Sequence, residues 1–457
     1  MTEPSMDSGR SASLVTDLIR RFRQNSFGAG MAALTGPTVL AATIGVVVTP
    51  ILSRLYSPTE FGVFGVFAAA LSLVVVISTL RYDWAIPAAP DDREAASILV
   101  VAIAAVAGTS IICGLLAATG VLGLLISEAR DYSMMLAWAL PLGMAAAGTY
   151  AAFSSWMIRR RNFSTLGRTK ITQSVSMLGT QLALGVMGAG SVGLIIGQIA
   201  GSGAGIIRLG RQILKNDGSA FADLPSAHLR ATATAYRNFP LLSGPAAFLD
   251  ALTGALPLLV LASRFGAATA GQFTIVQRVI MAPLALLTTV MAQVLFGELA
   301  AIRRTNAATM QAVFSRRLRQ IFMLTSLLVA MMVIVVPIAL PVILGPRWDD
   351  ATTYFLILSP MLLLNIVAAP FHAPLDILRR QDLHILRDTL RAFVMTIALT
   401  LSSLWHVGSL GTVSLVSAAG CLNGIIYLSI SSYAVARMGQ NSEHPNDPGT
   451  AIGGTTA

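Results

Sequence analysis

The sequence predicts an all-α polytopic integral membrane protein, with about twelve transmembrane helices in two six-helix bundles. Three observations predict it. Of the 457 residues, 55% are hydrophobic and only 11% charged, with a mean hydropathy of +0.72; a soluble globular protein carries about 25% charged residues. Apolar runs of about 20 residues, enough to cross the hydrocarbon as a helix, recur along the whole chain. Basic residues alternate between rich and poor connecting segments, as the positive-inside rule requires.

The runs are helices because, in hydrocarbon, every backbone polar group must be satisfied within its own segment or a closed barrel. They lie near 27–52, 61–80, 97–126, 133–157, 171–189, 192–210, 239–262, 272–297, 320–345, 352–370, 389–406 and 409–436. The segment 1–24 is polar and ends in Arg20, Arg21 and Arg23. The run after it is too long for a signal-peptide core, so it reads as a retained first span. "GAGS" separates the fifth and sixth runs only weakly, which leaves eleven or thirteen spans open. The polar segment 211–238 falls midway and reads as a cytoplasmic linker between a bundle at 25–210 and another at 239–436. The polar tail 437–457 is expected to be disordered.

With a cytoplasmic N-terminus, 26 of the 31 basic residues fall on the inner side. Four (Arg54, Arg130, Arg264 and Arg347) fall outside, and Arg278 lies within a span. An error in the span count would scramble this asymmetry from that point onward. It holds to the end, which places both termini in the cytoplasm. The net charge of +10 is dispersed among apolar spans rather than gathered on one face, so no nucleic-acid partner is expected. Cys113 and Cys421 both sit in apolar runs and read as small buried hydrophobes, with no disulfide or metal site.

The chain also repeats itself. "LTGPTVLAA" at 34–42 matches "LSGPAAFLD" at 242–250, and "LSRLYSPTEFGVF" at 52–64 matches "ASRFGAATAGQF" at 262–273, at offsets of 208 and 210. Each half thus opens with a Gly-Pro in its first span, a Ser-Arg at the outer end, a short loop and a Gly-aromatic start to the next span. Six spans per half is an even number, so the halves run in the same sense as a parallel pseudo-repeat. Pro37 and Pro245 each remove a backbone hydrogen bond and bend their helix, which suits either a cavity-lining hinge or a tolerated kink.

"LSRLYSPTEFGVFGVFAAALSL", followed by "LRYDWAIPAAPDDREA", resembles the opening of Wzx-like polysaccharide biosynthesis and O-antigen flippases. "AGQFTIVQRVIMAPLALLTTVMAQVLFGELA" at 270–300 resembles their second half. Those proteins belong to a superfamily that also holds multidrug and toxin extruders and lipid II flippases. The resemblance implies a V-shaped, alternating-access transporter of the bacterial cytoplasmic (inner) membrane. Its cargo would be an undecaprenyl-pyrophosphate-linked oligosaccharide, the repeat unit of an O-antigen or exopolysaccharide. Membrane lipids and polysaccharide polymerase or export machinery are the partners it implies, and no cofactor.

An ionisable residue within a span costs about 2.5 kcal/mol or more and is a functional-site candidate. Asp250 lies near the middle of the seventh span, where its counterpart in the repeat is Ala42. It reads as a proton or cation coupling site, a partner of sugar hydroxyls, or a structural carboxyl. Arg278 lies about 9 Å inside the eighth span at 1.5 Å per residue. It either snorkels to the surface or offers bidentate donors to phosphate. Arg54 and Arg264, at paired outer ends, would extend that cationic lining or anchor the interface. Arg81 and Asp83, where the second span meets the cytoplasm, suit a head-group contact, a gate pair or a local ion pair. Gln277, with Gln173, Gln181, Gln198, Asn365 and Asn423, suits sugar contacts or interhelical hydrogen bonds. Trp84 and Trp138 suit sugar stacking or an aromatic belt.

No G-x-x-x-x-G-K-[ST] loop, HExxH, zinc-type cysteine pair or GxSxG elbow occurs. No large outer loop exists to carry the reactive groups of a glycan ligase, polymerase or acyltransferase, so an enzyme is not expected. A cation-coupled multidrug exporter and a lipid II flippase stay open beside the oligosaccharide flippase. An exporter of cations should show an acid-rich, arginine-poor cavity, which Asp250 fits and Arg278 does not.

Overall fold

The computed structural model describes residues 26–119, 130–222, 224–281, 310–372 and 381–443, with isolated helical residues between 284 and 302. The segment 1–24, Arg303, Arg304, Arg379, Arg380 and the tail from 444 lie outside the described residues. The described residues are helical almost throughout, with no strand among them. The helices are α1 (Ser26–Leu55), α2 (Pro58–Ser78), α3 (Asp92–Ala118), α4 (Arg130–Arg159), α5 (Phe163–Val186) and α6 (Ser191–Asp217). They continue as α7 (Ser226–Ala235), α8 (Gly244–Val276), α9 (Met310–Leu344), α10 (Asp349–Ala368), α11 (Gln381–Leu404) and α12 (Ser409–Glu443). α8 is two helices meeting at Gly266, whose φ of 84° and ψ of 170° suit only glycine. With α7, a ten-residue helix, set aside, the described residues hold eleven helices in the order of the predicted spans, α8 covering the start of two of them across Gly266.

Among the described residues, eight helical segments are long and apolar enough to cross a membrane, the pair around Gly266 counting as one. The other long helices, α4, α5 and α11, carry more polar residues. The most apolar segment, Gln311–Leu344 in α9, is among the least buried. Leu327, Ile338 and Val342 on it are exposed. An apolar exterior of this kind is suited to lipid rather than water. The weak fifth-to-sixth boundary is a turn in which Gly188 and Gly190 take positive φ. Much of the predicted linker is helical: α6 continues to Asp217, a single turn covers Gly218–Phe221, and α7 follows.

The chain divides into two compact units. The first is Met1–Tyr56 with Phe67–Ala251, and the second is Ser57–Val66 with Leu252–Ala457. In the first, α5 packs on α6 and on α1, where Ser174 Oγ donates to the Ala41 carbonyl at 2.9 Å. A core of Tyr82, Ile86, Ile98, Leu99, Trp156, Leu209 and Ile213 joins α3, α4 and α6. In the second, α12 packs on α10 and α11. Ser417 Oγ and Ser431 Oγ of α12 donate to the carbonyls of Ile357 and Phe371 at 2.6 and 2.9 Å.

The repeated motif marks matching turns. α1 ends at Leu55, and the chain turns at Tyr56 and Ser57 before α2; Tyr56 and Gly266 are separated by the same offset of 210 that relates the two motifs. The two turns are closed differently. Ser57 and Glu60 form a capping box: Ser57 N donates to Glu60 Oε2 at 2.6 Å, and Glu60 N to Ser57 Oγ at 3.3 Å. Gly266 uses its own conformational freedom.

The paired glycines of the motif, Gly62 and Gly271, then meet within the second unit. A Cβ on Gly62 would stand 1.7 Å from the Ala267 carbonyl oxygen, and one on Gly271 would stand 1.8 Å from that of Pro58. Each glycine therefore admits the carbonyl four residues before the other glycine. The crossing is reciprocal, and only backbone fits in it.

Candidate functional site

The second unit holds an open-sided cavity of about 420 Å³. α8 supplies Thr253, Gly254, Pro257 and Phe273 to its wall, and the π-helical turn Gln277–Met281 supplies Gln277 and Met281. Met361 and Asn365 come from α10, Arg387, Arg391 and Met395 from α11, and Gly420, Asn423, Gly424 and Tyr427 from α12.

Helical periodicity explains the grouping. Arg387, Arg391 and Met395 recur at intervals of four and share one face of α11. Gly420 and Gly424 recur likewise on α12 and bring it onto α10: added Cβ atoms would stand 2.2 Å from Met361 Cγ and 2.9 Å from Leu364 Cβ. Asn423, between them, keeps a buried Oδ1 with no hydrogen-bond partner among the described residues. Such an acceptor carries its desolvation cost until a donor reaches it.

The cavity is cationic. Arg387 is half-buried, pairs with its neighbour Asp388 at 2.5 Å and stands 4.9 Å from the centre of the Tyr427 ring. Arg391 follows one turn later, also half-buried. Among the described residues no carboxylate lines the wall. Two guanidinium groups, three side-chain amides (Gln277, Asn365 and Asn423) and a phenol face a largely apolar space. Such a set offers the donors that an anion requires.

Gln277 is the candidate that the structure brings to this wall, together with the amides Asn365 and Asn423. Arg278, the next residue, instead stands 5.9 Å from the rings of both Phe61 and Phe64. Arg264 donates to Ser402 Oγ at 3.0 Å and lies over the Phe265 ring. Arg54 is exposed at the last turn of α1, and Asp250 is exposed in α8. Arg81 and Asp83 form no ion pair among the described residues. Thr79 Oγ1 donates to buried Asp83 at 2.5 Å, while Arg81 takes a left-handed φ of 63° and stacks 4.3 Å from the exposed Trp84 ring. Burial holds the Arg81 guanidinium below its ordinary pKa, and the charge of Asp83 opposes that shift. Trp138 is exposed. Gln181 is wholly buried and donates to the Leu194 carbonyl at 3.0 Å, an interhelical bond.

Sequence reasoning missed Arg387 and Arg391 as site residues. It placed both among the cytoplasmic basic residues, with the eleventh span starting at 389, whereas α11 starts at Gln381. The four-residue spacing of the arginines was the available signal.

The first unit holds a different arginine pair. Arg159, the last residue of α4, and Arg160 after it bind Asp92 at 3.1 and 2.9 Å, and Arg160 binds Asp217 at 2.8 Å. Asp217 also accepts from the Trp156 indole at 2.9 Å. Cys113 and Cys421 are free thiols, both half-buried.

Residues 51–353 match the model of a family described as polysaccharide biosynthesis protein. Among solved structures, the fold is similar to an inward-facing multidrug resistance MATE family transporter of the MOP superfamily, with a TM-score of 0.62 at 14% identity over 89% of this chain and 96% of that one. A MATE protein in complex with MaD5 matches with a TM-score of 0.59 at 13% identity over 92% and 99% of the two chains. An outward-facing MATE transporter of the same superfamily matches with a TM-score of 0.55 at 14% identity over 92% and 98%. No curated protein matches the chain.

Proposed function

Since the chain belongs to the family of polysaccharide biosynthesis proteins, we propose that it is a flippase that carries an undecaprenyl-pyrophosphate-linked oligosaccharide, an O-antigen or exopolysaccharide repeat unit, across the bacterial cytoplasmic membrane. The observation that carries this reading is the cavity of the second unit, where Arg387 and Arg391 stand beside Asn365, Asn423 and Gln277 with no carboxylate among the described lining residues. A pyrophosphate brings at least two negative charges and non-bridging oxygens that suit a guanidinium fork. Sugar hydroxyls suit amide groups, and the unpartnered Oδ1 of Asn423 is a ready acceptor for one. Transport by alternating exposure of the site requires no bond to be made or broken in the cargo, so we read the protein as a transporter rather than an enzyme. Asp250 remains our candidate for ion coupling, and Arg54, Arg264 and Arg278 for the outer part of the anion path.

The test is made on lipids from a strain lacking the protein, then on the purified protein in liposomes. The expected result is lipid-linked oligosaccharide held on the inner leaflet, loss of surface polysaccharide, and restored translocation in liposomes with wild-type protein but not with Arg387→Ala/Arg391→Ala. Normal lipids in the deletion strain, together with export of a cationic dye by the liposomes, would replace this reading with drug export.

A further inference from the structure

The last turns of α6 carry a second cationic feature, far along the chain from the cavity residues. Arg208, Arg211 and Lys215 recur at intervals of three and four. At about 100° per residue they fall within a sector of about 60° on one face. All three are exposed, and none forms an ion pair among the described residues. The carboxylate at the end of the same helix, Asp217, is already held by Arg160 and Trp156. The open surface around the three cations is completed by Ala204, Ile207, Gln212 and Asn216 of the same helix.

The surroundings identify the class of ligand. Leu209 and Ile213 are buried in the core of the first unit, so the orientation of α6 is fixed. Ile207 and Leu214 flank the cations and are 60% and 72% exposed. The helix end therefore offers an exposed apolar flank and an exposed cationic stripe side by side. Its depth agrees with this arrangement. Arg208 is about 26 Å along the helix from Ser191 at 1.5 Å per residue, and Lys215 about 36 Å. A hydrocarbon core of about 30 Å that begins at Ser191 ends between them. The stripe then straddles the edge of the hydrocarbon and reaches the level of lipid phosphates, while Ile207, about 24 Å along, meets acyl chains and Leu214 lies beside the head groups. Cations near a helix C-terminus also complement its dipole, but the dipole alone does not ask for an exposed apolar flank.

We propose that Arg208, Arg211 and Lys215 form a binding site for the phosphodiester head group of an anionic phospholipid in the leaflet at the Asp217 end of α6. This site is independent of the transported cargo. The test uses the full-length protein in zwitterionic nanodiscs doped with labelled phosphatidylglycerol, with retained lipid measured by native mass spectrometry. Each cation removed is expected to weaken retention about fivefold, and Arg208→Gln/Arg211→Gln/Lys215→Gln roughly a hundredfold. Arg211→Lys should keep most of the retention, and Arg230→Gln on α7 should leave it unchanged. Equal retention by the triple variant, or equal retention of zwitterionic lipid by the wild type, would overturn the proposal. Displacement of the lipid by millimolar inorganic phosphate would also overturn it, in favour of a soluble anion.

Discussion

In the first unit, Arg159 and Arg160 reach two carboxylates, Asp92 and Asp217, and tie the ends of three helices together. In the second, Arg387 and Arg391 stand one turn apart on a cavity wall that no described carboxylate lines. The residue type is the same and the helical setting is similar. What differs is how far neighbouring carboxylates satisfy the guanidinium donors. The first pair meets two acids and an indole in a closed network, so its charge is spent on architecture. In the second, Arg387 pairs with Asp388, its neighbour in the chain, and stands against the Tyr427 ring. An arginine count thus says less about function than the placement of the nearby acids.

Four experiments probe that contrast. Arg387→Ala/Arg391→Ala should lower the initial translocation rate in liposomes by about a hundredfold, since hydrogen bonds to charged groups contribute roughly 1.5–3 kcal/mol each. The thermal midpoint of this variant should move less than that of the Asp217 variant below. Arg391→Lys keeps the charge but loses the planar fork, and a fall of about tenfold in the same assay is expected; wild-type rates would reduce the site to a charge effect. Asp217→Ala leaves the Trp156 indole without its acceptor and takes from Arg160 one of its two carboxylates. It should cost about 1–3 kcal/mol, read as a midpoint several degrees lower by differential scanning fluorimetry. Its translocation rate well below the midpoint should match the wild type. Asp92→Ala removes a carboxylate that is 47% exposed, so a cost of about 0.5 kcal/mol is expected. A larger loss for Asp92 than for Asp217 would reverse the ranking of the two acids.

The helices were legible in the sequence because long apolar runs and alternating basic segments have no other common physical origin. Their ends were less so. Hydropathy stops a helix at the first cluster of charges, whereas α11 begins at Gln381 and α9 at Met310, each well before its apolar run. The predicted run at 389–406 therefore left Arg387 outside the helix that carries it with Arg391. Gln277, Asn365 and Asn423 were legible as polar side chains within spans, although only three dimensions separate them from Gln181, which serves an interhelical bond. The repeat was visible as matching letters at offsets of 208 and 210. The meeting of Gly62 and Gly271 was not, because glycine is common in membrane helices and nothing local distinguishes a crossing point from a tolerated small residue.

That crossing gives the second unit a fixed datum. Side-chain interfaces drift as sequences change, because each new shape re-spaces the helices by a fraction of an ångström. Where backbone rests on backbone, there is no side chain to exchange. Phe273 and Gln277, on the cavity wall, follow Gly271 within two turns, so their positions are measured from a reference that substitution cannot easily reset. Walls further from the datum, on α11 and α12, are freer to vary. A lineage adapting to a new glycan would then alter one side of its cavity while the opposite side holds its place.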